Sequence, residues 1–250
     1  MLFALFYSMA CSLRENLYLH FGEREGIMEK DMVGRSYRRK ESAMVDIDSF
    51  FSDVSGMYMY VKEYAERNGK VQTLKILDYA NNAHKGQFRK GEGKIPYIAH
   101  PLAICCHAIS LGFDDDNLIS TALLHDVCED CGISVDNLPV NDETREAVRV
   151  LTKSSLVKAG SPEAIDYYDR IMKNKIAIIV KLLDRCNNVS SMATAFSNKK
   201  MREYLHRTQK YVYPLFDNAV EMYPECVDKI FIIKYHMYSV VTTVEKILNL

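Results

Sequence analysis

The chain has 250 residues, 48% of them hydrophobic, enough to bury one sizeable core without disulfide staples. Lys and Arg (32) nearly cancel Asp and Glu (33), which excludes a global field that would recruit nucleic acid or an anionic membrane and leaves any anionic substrate to local positive charge. The seven cysteines are an odd number, several of them inside apolar helical patterns, and read as free thiols of a reducing cytoplasm.

In chain order, the opening MLFALFYSMACSL is apolar but well short of the roughly 20 residues that a membrane-spanning helix needs. Its positive charge, Arg14, follows the apolar stretch instead of preceding it as in a signal peptide, so neither secretion nor stable membrane insertion is expected. Residues 1–45 mix short apolar patches with the basic run Gly34-Arg35-Ser36-Tyr37-Arg38-Arg39-Lys40 and show no sustained periodicity. They are expected to form a poorly ordered extension ahead of one domain over 46–250. The basic run lacks an ordered aromatic platform, and no nucleic-acid partner is expected from it.

From about residue 46 the pattern is helical. It predicts helices near 48–67, 71–85, 98–110, 115–130, 142–152, 162–171, 173–193, 200–221 and 225–248. Gly112 closes the third, Asp114 to Asp116 place acid at the start of the fourth, and Pro162 marks the start of the sixth. Ile176 to Val180 suits a buried strand by composition, but the apolar run continues to Leu183, which is too long, and a helix is expected. The fold class is therefore all-α, with no Walker-type loop or strand-glycine-helix unit.

The chemistry concentrates in the fourth predicted helix. His125 falls one heptad after Leu118 and Asp126 one heptad after Ile119, so both polar groups point along an apolar side. A buried carboxylate must be paired or bound to a cation, and Glu129 and Asp130, four residues beyond His125 and Asp126, extend the set toward the same cavity. Alone, this run also reads as an ordinary acidic helix end. Two further clusters change that reading: His84-Lys85-Gly86-Gln87-Phe88-Arg89-Lys90 followed by Ile95-Pro96-Tyr97-Ile98-Ala99-His100-Pro101, and Val180-Lys181-Leu182-Leu183-Asp184-Arg185-Cys186-Asn187-Asn188. Together they supply His100, His125, Asp126 and Asp184, two imidazoles and two carboxylates from three helices.

This set resembles the HD-domain phosphohydrolase superfamily. HD-x-x-ED, HKGQ-x-R-K…PYI-x-HP and K-x-x-DR-x-N-N together are similar to the hydrolase domain of RelA/SpoT-type alarmone enzymes, over roughly residues 70–195. The resemblance implies an HD-domain helical bundle with one divalent ion, usually Mn²⁺ and open to other transition metals, held by His100, His125, Asp126 and Asp184. It implies Glu129 and Asp130 as the acid/base pair. It implies Arg89, Lys90, Asn188 and Ser191 as substrate contacts, with Lys153 reaching the pyrophosphate. The implied reaction is removal of the 3′-pyrophosphate of guanosine tetra- or pentaphosphate by a stand-alone small hydrolase. The alternatives are an HD hydrolase acting on a related nucleotide, such as ppApp or the 2′-phosphate of NADPH, or a non-catalytic nucleotide-binding module. The oligomeric state is not legible.

The chain departs from the pattern in the loop Gly91-Glu92-Gly93-Lys94, and between Leu151 and Lys173 the matching is loose. Ser191 stands where the family commonly has threonine and keeps the hydroxyl. Cys128 and Cys131 lack the second thiol pair that a zinc site needs. Cys105, Cys106 and His107 read as core, and His84 as a capping or packing residue. Tyr204, Tyr211, Tyr213 and Tyr223 read as core and surface instead of a stacking box.

Overall fold

The computed structural model describes residues 53–91, 94–154 and 156–250. The expected extension 1–45 and the start of the helix expected over 48–67 lie outside them. The described residues form a helical bundle, with one isolated backbone bridge between Phe88 and Pro96 as their only strand-like pairing. The elements in order are α1 (Val54–Arg67), α2 (Val71–Ala83), α3 (Ala99–Ser110), α4 (Asp116–Leu124), α5 (Val127–Cys131) and α6 (Asp142–Leu151). They continue with α7 (Pro162–Ile171), α8 (Lys175–Ser191), α9 (Asn198–Arg207), α10 (Tyr213–Met222) and α11 (Val227–Leu248). No helix among them is long and apolar enough to cross a membrane, and the six described cysteines are free.

Helix starts follow local chemistry. Side chains of Asp53, Asp115, Asn141, Ser161, Asn174 and Ser197 accept from backbone N–H groups of the first turns they precede, each cap worth about 1 kcal/mol. Helix α2 has no such residue in its own chain neighbourhood. Its first N–H groups are taken by Asp116 of α4, whose carboxylate accepts from Gln72 N at 3.0 Å and Thr73 N at 2.8 Å. A charged cap thus fastens α2 to α4, the helix that leads into the site.

At the centre runs α8, buried on every face from Ile176 to Cys186 and packed against α3, α4, α6, α10 and α11. Each fully buried Ile or Leu there contributes about 1.5–3 kcal/mol. A helix hydrophobic all round belongs in a core, so Lys181, Asp184 and Arg185 in the same run require local compensation.

Two expected helices are interrupted. The span 115–130 breaks at His125 and Asp126 into α4 and α5, and α5 ends at Gly132 in the left-handed region (φ 67°). Consecutive residues of an unbroken helix do not face one another; the break lets these two converge. The span 200–221 is divided by a π-helical turn over Thr208–Val212, directly before Pro214 in the first turn of α10. Proline lacks the N–H that an uninterrupted helix would use, and a wide turn absorbs the mismatch.

Candidate active site

Buried polar groups are costly unless partnered, and in this core the charged ones gather in one place. His100 sits in the first turn of α3, His125 and Asp126 at the α4–α5 break, and Asp184 in the middle of α8. His100 Nε2 and His125 Nε2 are 3.3 Å apart. Asp126 Oδ2 lies 3.1 Å from the second and 3.7 Å from the first, while Asp184 Oδ1 lies 3.2 Å from His100 Nε2 and 4.0 Å from His125 Nε2. Donors bound at right angles about 2.1 Å from one ion stand about 3.0 Å apart. The spacings fit one cation, and His100, His125 and Asp126 offer ligand atoms that all lie within 4.8 Å of one another.

The surroundings fix which atoms face inward. His125 Nδ1 bonds the Ala122 carbonyl at 2.8 Å, and His100 Nδ1 bonds Asn187 Oδ1 at 2.7 Å. Both acceptors put the ring hydrogen on Nδ1, so the two Nε2 lone pairs point at each other between two carboxylates. Such a point demands positive charge. Burial pulls both imidazoles down, and His100 stays lowered, but in His125 the Asp126 and Asp184 charges prevail and raise it to about 9. A divalent ion would meet the same demand. Asp184 is held well below the ordinary carboxylate range against its burial, chiefly by Lys181 Nζ at 2.8 Å. Lys181 holds Oδ2, and Asn188 Nδ2 donates at 2.5 Å to Oδ1, the oxygen that faces the imidazoles.

From this cluster a cleft opens to solvent. It is lined by His125, Asp126, Glu129 and Asp184, then by the cations Lys153, Lys158, Lys181, Arg185 and Arg207, and by Tyr168, Tyr204 and Tyr211. Glu129 Oε2 accepts from Lys153 N at 3.3 Å, which ties the short α5 to the end of α6. Lys153 is lowered to about 8 by neighbouring Lys181 and by burial. The buried Arg185 lies over Tyr204 at 4.1 Å and donates to Thr208 Oγ1 at 3.3 Å.

Among the expected substrate residues, Arg89 donates to Ser191 Oγ at 3.1 Å and to Asn188 Oδ1 at 3.4 Å. Its loop can sit there because Gly91 has φ 130° and a Cβ at that position would come within 3.1 Å of the Thr194 carbonyl. Lys90 is exposed and joins neither this group nor the cleft lining. Asp130 does not share the cleft with Glu129. Its carbonyl accepts from Gln87 Nε2 at 3.0 Å.

Five participants escape a reading of the sequence alone. Tyr97, Gln87 and Asn187 lie inside the quoted motifs but act on partners far along the chain. Tyr204 and Tyr211, expected as core and surface, line the cleft; Tyr213 and Tyr223 stack on Tyr238 and beneath Lys175. His84 caps α2, its Nδ1 2.8 Å from Gln87 Oε1, as expected of a capping residue.

No family model matches the chain. A "Probable guanosine-3′,5′-bis(diphosphate) 3′-pyrophosphohydrolase" of Synechocystis sp. is 34% identical over 146 residues, covering 55% of this chain and 19% of that protein. The bifunctional (p)ppGpp synthase/hydrolase SpoT of Escherichia coli (strain K12) is 31% identical over 132 residues, 49% of this chain and 18% of that protein. The chain thus spans under a fifth of the length of these curated relatives. The solved structure of a metazoan ortholog of SpoT, described as hydrolysing ppGpp and playing a role in starvation responses, superimposes with a TM-score of 0.53 at 20% identity. It covers 65% of this chain and 93% of that one. The homologues of this chain are therefore SpoT/RelA-type proteins, and its all-α bundle is the fold of that hydrolase.

Proposed function

We propose that the chain is a metal-dependent 3′-pyrophosphohydrolase that converts guanosine tetra- or pentaphosphate and water into GDP or GTP and pyrophosphate. The observation that carries the reading is the meeting of two imidazole lone pairs and two carboxylates at the head of a cleft lined by Glu129 and five cations. The relatives' names supply the substrate class.

In this reading His100, His125, Asp126 and Asp184 hold one divalent ion. Mixed nitrogen and oxygen donors admit Mn²⁺, Fe²⁺, Co²⁺ or Zn²⁺, and we take Mn²⁺ as resident. Bound there, the ion supplies Lewis-acid chemistry: it acidifies water and offsets charge on the phosphoryl oxygens.

The protein's own groups do the rest. Glu129, in the cleft wall beside Asp126, orients the attacking water and takes its proton as the new P–O bond forms. The bond from phosphorus to the ribose 3′ oxygen breaks, and that oxygen receives a proton through cleft water from Asp130, which stands on the same short helix outside the cleft lining. Lys153 binds the departing pyrophosphate with its ammonium. Arg89, placed by Ser191 and Asn188, presents a flat guanidinium for stacking on the purine, with Lys90 as an outer phosphate contact.

The test is incubation of the purified protein with Mn²⁺ and, separately, ppGpp, ppApp, NADPH and deoxynucleoside triphosphates, with products separated by ion-exchange chromatography. Pyrophosphate and GDP from ppGpp are expected. Turnover confined to another of these nucleotides would replace the substrate and keep the chemistry; no turnover of any would remove both.

A further inference from the structure

Along the buried α8, Lys181, Asp184, Arg185 and Asn188 fall at i, i+3, i+4 and i+7, and all four reach the cleft wall. Three of them are closed among themselves: Lys181 Nζ holds Asp184 Oδ2 at 2.8 Å, and Asn188 Nδ2 donates to Asp184 Oδ1 at 2.5 Å. Arg185 stands outside this arrangement. It is 5% exposed and forms no ion pair with a carboxylate among the described residues. A guanidinium carries five N–H donors. Here Nη1 donates to Thr208 Oγ1, a neutral acceptor at 3.3 Å, and Nε is buried without a partner. Nη2 has no hydrogen bond among the described residues either.

What holds the guanidinium is a ring. It lies 4.1 Å from the centre of Tyr204, and the Arg207 guanidinium lies 5.6 Å from the same centre. Phe196 braces that ring edge-on at 5.4 Å. An aromatic face attracts a cation but is not a counter-ion. Two guanidiniums therefore gather on one ring in the cleft wall, while Asp184, the carboxylate next to Arg185 in the chain, is already taken by Lys181. A buried charge without a counter-ion is unfavourable, and an anion entering the cleft relieves it.

We propose that Arg185 is the deep anion contact of the cleft, where it binds the outer phosphate group of a pyrophosphate whose inner phosphate lies at the His–Asp cluster. The assignment rests on the pyrophosphohydrolase reading given above. Asp184 and Arg185 are consecutive on α8, so the guanidinium stands beside the cation site instead of at it, on the side that a second, linked phosphate group would occupy. Nη2 and the second hydrogen of Nη1 remain for that group, and a planar fork selects its geometry as well as its charge. Arg185 is thus a specificity-determining residue: a substrate with a pyrophosphate at the scissile position gains the contact, and one with a single phosphate there does not.

Calorimetric titration of inorganic pyrophosphate, and separately of inorganic phosphate, into the full chain freed of metal by a chelator tests the contact with neither nucleotide nor ion present. Wild type is expected to bind pyrophosphate at least about tenfold more tightly than phosphate. Arg185→Met keeps most of the bulk and removes the charge. It should weaken pyrophosphate binding roughly 10–100-fold, as loss of a charge-assisted bond does, and phosphate binding by less than about threefold. Arg185→Lys keeps the charge without the fork and should lose most of the preference while holding phosphate within about threefold of wild type. A guanidinium serving only the core would weaken both anions alike. No preference for pyrophosphate in wild type, or the same preference in Arg185→Met as in wild type, overturns the assignment. Should Arg185→Met not fold, Arg185→Lys decides by the same criterion, and failure of both to fold shows the guanidinium serving the core and also overturns it. Arg185-dependent pyrophosphate binding in a chain that leaves ppGpp uncleaved supports the contact and counts against the substrate reading alone.

Discussion

The two ends of the cleft hold their charges differently. At the inner end, His100, His125 and Asp184 are buried and each is fastened by a partner on another turn or helix: Asn187, the Ala122 carbonyl and Lys181. At the outer end Lys158 is exposed, and outside the cleft lining Lys90 is exposed and Arg89 is partly so, held by two neutral oxygens. In the proposed reading the inner end is a fixed geometry suited to one cation, and the outer end a set of cations that adjusts to an anion's shape. Chemistry should therefore fail abruptly when the inner end is altered, and recognition should fail gradually when the outer end is.

The sharpest break is expected between neighbours on one short segment. Asp126→Ala removes a proposed ligand oxygen from the cluster and should abolish measurable Mn²⁺ binding and turnover together, read by calorimetry and product release. Glu129→Gln leaves the cluster intact. It should retain Mn²⁺ affinity and lose about 10²–10⁴-fold in kcat, the usual contribution of a positioned general base. Full activity in Glu129→Gln would move the base role elsewhere and blur the boundary between the two ends.

At the outer end the effect should be smaller and of another kind. Arg89→Ala deletes a guanidinium whose present partners, Ser191 and Asn188, keep their own donor bonds to the Asn187 carbonyl and Asp184, while the acceptor oxygens they turned to Arg89 pass to water. A lost charge-assisted contact of about 1.5–3 kcal/mol corresponds to a rise in KM of roughly 10–100-fold with kcat little changed. A fall in kcat with constant KM would place Arg89 at the inner end after all.

The same division governs what was legible in the sequence. His100, His125, Asp126 and Asp184 stand out because imidazoles and carboxylates on apolar faces are anomalous wherever the helices lead, and the fold brings them within 3.1–4.0 Å of their partners in the cluster. Their outer partners are ordinary residues. Tyr97 and Asn187 become informative only when residues 29 and 87 positions away arrive beside them. Helix extents were legible from periodicity, but the break at His125 and Asp126 was not. A 3.6-residue pattern continues through it, since Leu118 and Ile119 beneath the two residues are both buried. Glu129 and Asp130 are consecutive on α5 and point to different surroundings, which a sequence that paired the two carboxylates did not divide. Tyr204 and Tyr211 were read as core because aromatic spacing says that a face is covered, not that a cleft borders it.

Lys153 lies between the two ends and carries the smallest and most particular expectation. Lys181 and burial lower it to about 8 from an ordinary 10.5. A cation lowered in this way destabilises the fold while it is protonated. The cost is complete below pH 8, shrinks as pH rises from there, and is gone above the unfolded value. Lys153→Met keeps the side-chain bulk and removes the charge, and should stabilise the protein at pH 7 by on the order of 2 kcal/mol, seen as a higher Tm. That advantage should fade between pH 8 and 10.5. If the wild-type ammonium holds the pyrophosphate as proposed, the same substitution should weaken nucleotide binding below pH 8, and wild-type KM should rise as pH passes 8. Lys153→Arg, charged throughout, should abolish that rise. If Lys153→Met lost stability at pH 7, the ammonium would be held by attraction to Glu129 and Asp184, and Lys153 would belong with the fastened inner charges instead of the adjustable outer ones.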